Sequence, residues 1–396
     1  MASEFDKDLV YEGCNFLRQR LVLSCLSGKK VKINNIRAKD ECPGVCEHEM
    51  NLIRLFDQLC NGAKLEVSRS GTSFTFIPGI LIGGSITHTC EPSRGIGYYL
   101  EPVMMLAPFC KRPIHLTLKG ITNCNGDVSV DQLRYSLLPL LRKFLQTDEG
   151  VSLVMVKRGL PPCPSGVVEF TCPVRKELKP FVWTDQGQVK KVRGMCFTRR
   201  VAPVVGNRMI DVVKKYIHRY LTDVYFVLDN AKGPSPGFGI SLNCITTTST
   251  IFTGEAITCQ DVETVSTNLE ERSDRRLMSP EDVGELAVCQ LLQEIKRGGV
   301  VDGCSQAAAL LFMALTPRDV SKILIGPLTT QSMYMLRHIR DFLKVKFKME
   351  PEPRDDELSD DDDEEERGNK RRKTGCEKLI LTCVGSGFTN FSKGSI

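Results

Sequence analysis

The stretch Lys322-Ile-Leu-Ile-Gly-Pro-Leu-Thr-Thr-Gln-Ser-Met-Tyr-Met-Leu-Arg-His-Ile-Arg-Asp-Phe-Leu-Lys-Val-Lys-Phe-Lys348 decides the fold. Residues 322–325 read as a short strand that stops at Gly326. Residues 332–343 read as a helix, because Met335, Leu336, Ile339, Phe342 and Leu343 fall on one side at helical spacing. Residues 344–348 alternate again like a strand, and residues 378–384 are the expected partner. The order is strand, helix, strand, strand.

The same order occurs twice upstream. Residues 114–118 form a strand ending at Gly120. Residues 130–144 form a helix with Leu133, Leu137, Leu140, Leu141 and Phe144 on one side and a kink expected at Pro139. Strands follow at 152–156 and 167–171. Nearer the start, residues 30–36 alternate, and residues 47–60 carry Leu52, Ile53, Phe56, Leu59 and Cys60 at helical spacing. Strands at 64–68 and 73–77 flank Gly71. A unit of this kind cannot bury its helical face alone. The expectation is therefore an α/β (α+β) fold of three repeated strand-helix-strand-strand units packed together.

Residues 190–275 break the pattern and read as a small inserted α/β domain. A helix at 207–221 carries Met209, Val212, Val213, Tyr216, Ile217 and Tyr220 inward, a strand follows at 224–228, and residues 233–239 form a glycine- and proline-rich loop. Ser279 as N-cap, Pro280 as first helical residue and Asp282 three residues on then start a helix that stops at Gly298-Gly299. The chain divides accordingly into residues 1–189 with two repeats, the insert at 190–275, and residues 276–396 with the third repeat.

The 396 residues are 41% hydrophobic, enough for a sizeable core. No charged-then-apolar leader is read at the start, and the most apolar run, 307–315, is too short to cross a bilayer. The 17 cysteines are scattered singly through apolar segments, as in chains of a reducing compartment. Cys42, Cys46 and His48 lack paired Cys-x-x-Cys spacing and a fourth ligand, so no metal site is expected. The net charge of +5 hides ten acidic residues within 355–366 and five basic ones within 367–373. Residues 354–375 read as a disordered loop. Lys370, Arg371, Arg372 and Lys373 within it look like a nuclear import signal, and Ser359 stands in an acidic phosphorylation context.

Several short stretches together resemble the RNA 3′-terminal phosphate cyclase family over nearly the whole chain. They are Asn35-Ile-Arg-Ala38 with Pro43-Gly44, Phe76-Ile-Pro-Gly79, Lys119-Gly-Ile-Thr-Asn123, Phe312-Met-Ala-Leu315 and Gly326-Pro-Leu-Thr329. The resemblance implies an enzyme that adenylylates itself on a histidine and activates an RNA end with ATP. This sequence departs from that pattern where the chemistry lies. The family's histidine begins a His-Thr-Gln-Thr run; here the run reads Thr329-Thr-Gln-Ser332, and a threonine hydroxyl without an activating base is no nucleophile near neutral pH. The family's Asp-Gln pair before Phe-Met-Ala-Leu is Ala307-Ala308. Its opening glycine loop is replaced by Tyr11-Glu-Gly-Cys-Asn15, its central Gln by Glu101, and its Gln-His pair by His48-Glu49. Arg18 and Arg37 stand where the family has arginines facing the nucleotide, which makes them candidates for holding an anion or RNA phosphate. Local carboxylates such as Glu12 or Asp40 are their alternative partners.

These departures, with Asn15-Phe-Leu-Arg18 and Ser235-Pro-Gly-Phe-Gly239, resemble the family's cyclase-like branch. That resemblance implies a protein without cyclase activity or cofactor, located in the nucleus and nucleolus. It implies action in pre-rRNA processing and small-subunit assembly, bound to a ribosome-assembly GTPase, within a pre-ribosomal particle and touching pre-rRNA, away from membranes. Arg337, Arg340 and Lys344, opposite the apolar stripe of the 332–343 helix, are the candidate partner surface. His338, two and a half turns along that helix, is too distant to replace the missing nucleophile. The alternative is an endonuclease that cuts pre-rRNA, for which Arg340-Asp341 is the only pair to nominate.

Overall fold

The computed structural model describes residues 9–259, 278–352 and 376–390. Its first unit runs β1 (Leu9–Glu12), α1 (Leu17–Ser27), β2 (Val31–Asn34), α2 (Glu47–Leu59), the short β3 (Cys60–Asn61), β4 (Lys64–Val67), β5 (Phe74–Ile77) and the short β6 (Ile80–Leu81). The second runs β7 (Gly84–Thr89), α3 (Ile96–Leu106), β8 (Ile114–Gly120), α4 (Val130–Tyr135), α5 (Leu137–Leu145), β9 (Ser152–Lys157) and β10 (Gly166–Cys172). The third opens with β11 (Val182–Trp183). The insert follows as β12 (Val189–Arg199), α6 (Pro203–Ile217), β13 (Val224–Asn230), β14 (Gly237–Thr246) and β15 (Ile251–Cys259). After α7 (Pro280–Arg297) come α8 (Gln306–Ala314), β16 (Val320–Ile325), α9 (Thr330–Leu343), β17 (Phe347–Pro351) and β18 (Leu379–Val384).

This is a mixed α/β fold whose three units carry four-stranded sheets in one order, β1-β2-β5-β4, β7-β8-β10-β9 and β11-β16-β18-β17. The first pair in each is parallel and the remaining pairs are antiparallel. Each unit is thus longer than its sequence pattern indicates, because a strand and a helix precede the part that is legible. Those helices, α1, α3 and α8, are the crossovers that a parallel pair requires. Every residue of α3 and α8 is buried, and Leu21 to Ser24 of α1 are fully enclosed. A helix buried on all sides has no polar stripe, so the 3.6-residue contrast that reveals a surface helix is missing. α3 packs against both α1 and α8, and the three lie at the centre of one continuous core.

The kink expected at Pro139 is instead a break at Ser136, between α4 and α5. A proline ring clashes with the carbonyl four residues back, here that of Tyr135. Ser136 uses the interruption to hydrogen-bond Asp302 at 2.5 Å and Ser305 at 2.5 Å. The insert's sheet, β13-β12-β14-β15, has its own core beneath α6 and α7. Ser279 and Asp282 cap α7 reciprocally at 3.2 Å, as the sequence indicates. Yet Val283, Ala287, Val288 and Leu291 of α7 point into the insert's core, so the apolar face of this helix packs with the insert, while its last turn meets the third unit through Arg297 to the Pro327 carbonyl at 3.5 Å and the Cys376 amide to the Lys296 carbonyl at 3.0 Å. α6 also begins four residues earlier than its pattern, at Pro203, and ends at Ile217. Tyr220 is consequently left outside the helix and 84% exposed. The 233–239 loop is shorter than expected, since β14 already starts at Gly237.

The insert is joined to the body by a buried polar network. Arg158 bonds Asp131 at 2.5 Å, Asn123 donates to Glu255 at 3.2 Å, and Ser129 donates to the other oxygen of Glu255. Residues 354–375, read from the sequence as a disordered loop and holding Ser359 and residues 370–373, lie outside the described residues.

Candidate functional site

Parallel strands point their carboxyl ends to one side, and loops leaving those ends are the usual walls of a ligand site. Here the loops after β1, β2 and β7 do this. Together with α1, α2, α3, α8 and the start of α9 they enclose a cleft of about 630 Å³, lined among others by Arg18, Arg37, His48, Glu49, Arg94, Tyr98 and Glu101. Two backbone features shape its floor. Phe16, at φ 58°, turns the chain into α1 and stacks on Tyr334 at 4.1 Å. Arg37 is also left-handed, at φ 42°, a conformation that needs outside support in a non-glycine residue. The support comes from its own side chain, which donates to the Gly44 carbonyl at 3.0 Å, to the Cys14 sulfur at 2.8 Å and to Glu49.

Each arginine of the cleft is matched with a carboxylate from the protein. Arg18 meets Glu101 at 2.5 Å, Arg37 meets Glu49, and Arg94 grips Asp127 with two bonds of 3.0 and 2.5 Å. Arg18 and Arg94 also lie against the Tyr98 ring, at 4.7 and 4.5 Å from its centre. The carboxylates are buried and further engaged: Glu49 accepts from the Cys46 amide at 2.9 Å, and Asp127 from the Gly95 amide at 2.9 Å. Burial by itself would lower the pKa of Arg37 and Arg94, but Glu49 and Asp127 outweigh it and hold both above the ordinary value. Burial, with Glu49 beside it, pushes the Cys14 thiol up to about 11, so it is no thiolate nucleophile at neutral pH. Burial lowers the His48 pKa, which favours a neutral ring. Local carboxylates such as Glu12 or Asp40 are the alternative the sequence offers to an anion at Arg18 and Arg37; the observed partners are carboxylates, but Glu101 and Glu49.

Thr329 and Ala307 mark the positions where the resemblance places the lost chemistry. Ala307 lines the cleft with a methyl group. Thr329 does not line it. It caps α9, accepting from the Ser332 amide at 3.2 Å, with its hydroxyl 2.8 Å from that of Ser332. Its surroundings are a neighbouring groove of about 270 Å³ with Glu294, Arg297 and Asp302. The residue of this run that reaches the cleft is Gln331. His338 is 3% exposed behind α1, 3.1 Å from Gln19 and 3.5 Å from Arg20. Burial, then the charges of Arg20 and Arg337, press its pKa down to about 4, so it is neutral and enclosed.

On the outer side of α9, Arg337, Arg340 and Lys344 are exposed, with Arg337 over the Tyr334 ring at 5.1 Å. Asp341 lies 3.6 Å from Arg340 and accepts from the Tyr11 hydroxyl at 3.3 Å. Among the described residues, no group of three or more His, Cys, Asp or Glu is placed to hold a metal ion. Sequence reasoning missed Arg94, Tyr98 and Asp127. Arg94 and Asp127 are brought together from loops 33 residues apart, and the available signal was positional: each follows a strand of a parallel pair.

A family model described as RNA 3′-terminal phosphate cyclase matches residues 9–349. The chain belongs to this family. It is 43% identical over 389 residues to the human RNA 3′-terminal phosphate cyclase-like protein, covering 97% of both chains. A probable cyclase-like protein of Drosophila melanogaster is 42% identical over 391 residues, again 97% of each. A Schizosaccharomyces pombe protein named as an rRNA processing protein is 33% identical over 390 residues, with 97% of both covered. Within the cyclase family, then, the relatives just named are cyclase-like proteins and a processing protein, and their matches run through the insert as well as the body.

Proposed function

We propose that this chain is a non-catalytic member of the cyclase family. It acts in nucleolar pre-rRNA processing and assembly of the small ribosomal subunit, bound to an assembly GTPase and in contact with pre-rRNA within the particle. The observation that carries the reading is the one-to-one pairing in the cleft. A nucleotide brings several negative charges, and it would have to displace Glu101, Glu49 and Asp127 from guanidiniums they already satisfy. Gln331 and Ala307 offer neither a nucleophile nor a carboxylate there. The full-length likeness to a protein named for rRNA processing supports the second half. Arg18 and Arg37 in this reading are structural first, and hold an RNA phosphate only if a carboxylate yields.

The organisation proposed with this role is a three-unit body interrupted between β11 and α8 by an insert that includes α7. The exposed side of α9, with Arg337, Arg340 and Lys344, is the proposed GTPase contact, and residues 370–373 the proposed import signal. No described helix is long and apolar enough to cross a membrane. Affinity capture tests the reading. Wild-type chain expressed in its own cells should retain a GTPase and precursors of the small-subunit rRNA, and Arg337→Glu with Arg340→Glu should lose the GTPase by tenfold or more. Capture of neither GTPase nor precursor by the wild type would overturn it.

A further inference from the structure

One end of the insert gathers cations and aromatic rings that the cleft does not use. β12 and β13 are parallel, with Val192 beside Val224 and Arg193 beside Tyr225, so their first residues share one end of the sheet. α6 connects them and therefore ends at that same end. The segments meeting there are Gln188-Val-Lys-Lys-Val-Arg193 and Lys214-Lys-Tyr-Ile-His-Arg-Tyr-Leu-Thr-Asp-Val-Tyr225. They hold six Lys or Arg residues against one carboxylate, Asp223. Arg193 takes that carboxylate at 2.8 and 3.1 Å. Lys190, Lys191, Lys214, Lys215 and Arg219 have no ion-pair partner among the described residues.

Two tyrosines stand among these charges. Tyr220 is 84% exposed, in the turn after α6, and Tyr225 is 61% exposed. Alternation along β13 puts Tyr225 on the sheet face away from α6, while Phe226 faces the helix with Lys214 6.0 Å above its ring. β13 is an edge strand, so nothing pairs on its outer side within the sheet. Leaving a tyrosine ring in water forgoes its burial, and two such rings flanked by unmatched cations match one ligand chemistry well. Single-stranded nucleic acid carries phosphates for the cations and unpaired base faces for the rings. An acidic protein would satisfy the lysines but leave the rings unpartnered, and a duplex keeps its base faces stacked internally.

We propose that this end of the insert docks single-stranded RNA, with Tyr220 and Tyr225 as stacking faces and Lys190, Lys191, Lys214, Lys215 and Arg219 on phosphates. The site deepens the RNA-contact reading above and rests on it. Fluorescence anisotropy tests it with the full-length chain, a labelled 12-nucleotide oligouridine and a 12-base-pair RNA duplex, between 50 and 300 mM KCl. Tyr220→Ala with Tyr225→Leu should weaken single-strand binding about tenfold, since stacking on each ring supports one base. The leucine keeps a residue suited to the strand while removing the ring. Lys190→Gln, Lys191→Gln and Lys215→Gln together should lower the slope of log affinity against log salt by about 2, at about 0.7 per phosphate contact. Lys111→Gln, on the body, should change neither quantity. Thermal midpoints of all variants should match the wild type, because these side chains are exposed or, for Lys191, half-buried without an ion-pair partner among the described residues.

Binding that is tight in the wild type and unchanged in both sets of variants would overturn this site and leave RNA contact elsewhere. Single-strand binding that survives loss of the rings but is displaced by polyglutamate would reassign the end to an acidic protein. Equal affinity for duplex and single strand would remove the stacking role. No binding at 50 mM KCl would overturn the site and the RNA-contact reading together, while GTPase capture would still be decided separately.

Discussion

The cleft and the far end of the insert are built from similar charged and aromatic residues and put them to opposite use. In the cleft, Arg18, Arg37 and Arg94 each face a buried carboxylate, and two of them clasp the Tyr98 ring. At the insert's end, five cations, of which Lys190, Lys215 and Arg219 are exposed and Lys191 and Lys214 half-buried, have no ion-pair partner among the described residues, and two tyrosine rings are exposed. A matched, half-buried pair contributes little field outside itself. Its energy resides in not being broken, because loss of one partner strands the other in low dielectric. An unmatched surface cation contributes almost nothing to folding and all of its charge to a partner. On the proposed reading, the cleft serves as a structural element shaped like a binding site, and the insert's end serves as the binding surface.

The largest expected effect follows from that contrast. Glu49→Ala removes the carboxylate that holds Arg37 in its left-handed conformation and caps α2, and should cost about 3 kcal/mol of folding stability. Lys191→Ala at the insert's end should stay within about 0.5 kcal/mol of wild type. Urea denaturation of both measures the difference. Equal stabilities for the two variants would erase the distinction between matched and unmatched charge.

A second prediction probes an arginine of intermediate kind. Arg20 lies behind the cleft and donates to the Gly13 carbonyl at 2.7 Å and toward His338, and its guanidinium covers the Tyr11 ring at 4.4 Å. Among the described residues it has neutral partners and no carboxylate. His338 also meets Gln19 from α1 and Tyr334 and Arg337 from its own helix. With its folded pKa near 4 against an ordinary 6.5, the unfolded chain binds more protons between those values. Stability is then full above pH 6.5 and falls as pH drops through this window, by about 2 to 3 kcal/mol near pH 4. His338→Gln should flatten that part of the stability-pH curve. An unchanged slope in the variant would mean that other groups govern it.

How much of this was legible in the sequence depends on contrast. Helices with one wet side announced themselves, as α2, α7 and α9 did through Leu52, Val283 or Met335. The enclosed α1, α3 and α8 did not, because an all-apolar run such as Ala307-Ala-Ala-Leu-Leu-Phe-Met313 has no period. α7 was legible as a helix but not in its allegiance, since the stripe of Val283, Ala287 and Leu291 does not say which core it enters. The site divides the same way. Arg18, Arg37, Glu49 and Glu101 could be named from motifs, whereas Arg94 and Asp127 come together only through topology. The run from Thr329 to Gln331 is legible as a motif, but only the fold shows that Gln331 lines the cleft while Thr329 lines the neighbouring groove.

The smallest expected effect is none at all. Wild-type chain incubated with α-labelled ATP and magnesium or manganese, then denatured, should carry no label, and Thr329→His should carry none either. An imidazole at 329 would sit at the α9 cap, beside Ser332 and the groove of Glu294 and Asp302, away from the paired arginines. Gln331→His sharpens the test, because position 331 does line the cleft. It too should stay unlabelled, since Glu49, Glu101 and Asp127 still hold the guanidiniums that a triphosphate needs. Label on Gln331→His alone would mean that the carboxylates yield to ATP and only the nucleophile was missing. Label on the wild type would break the comparison outright, because a cleft that binds and activates a nucleotide is not a closed set of internal pairs.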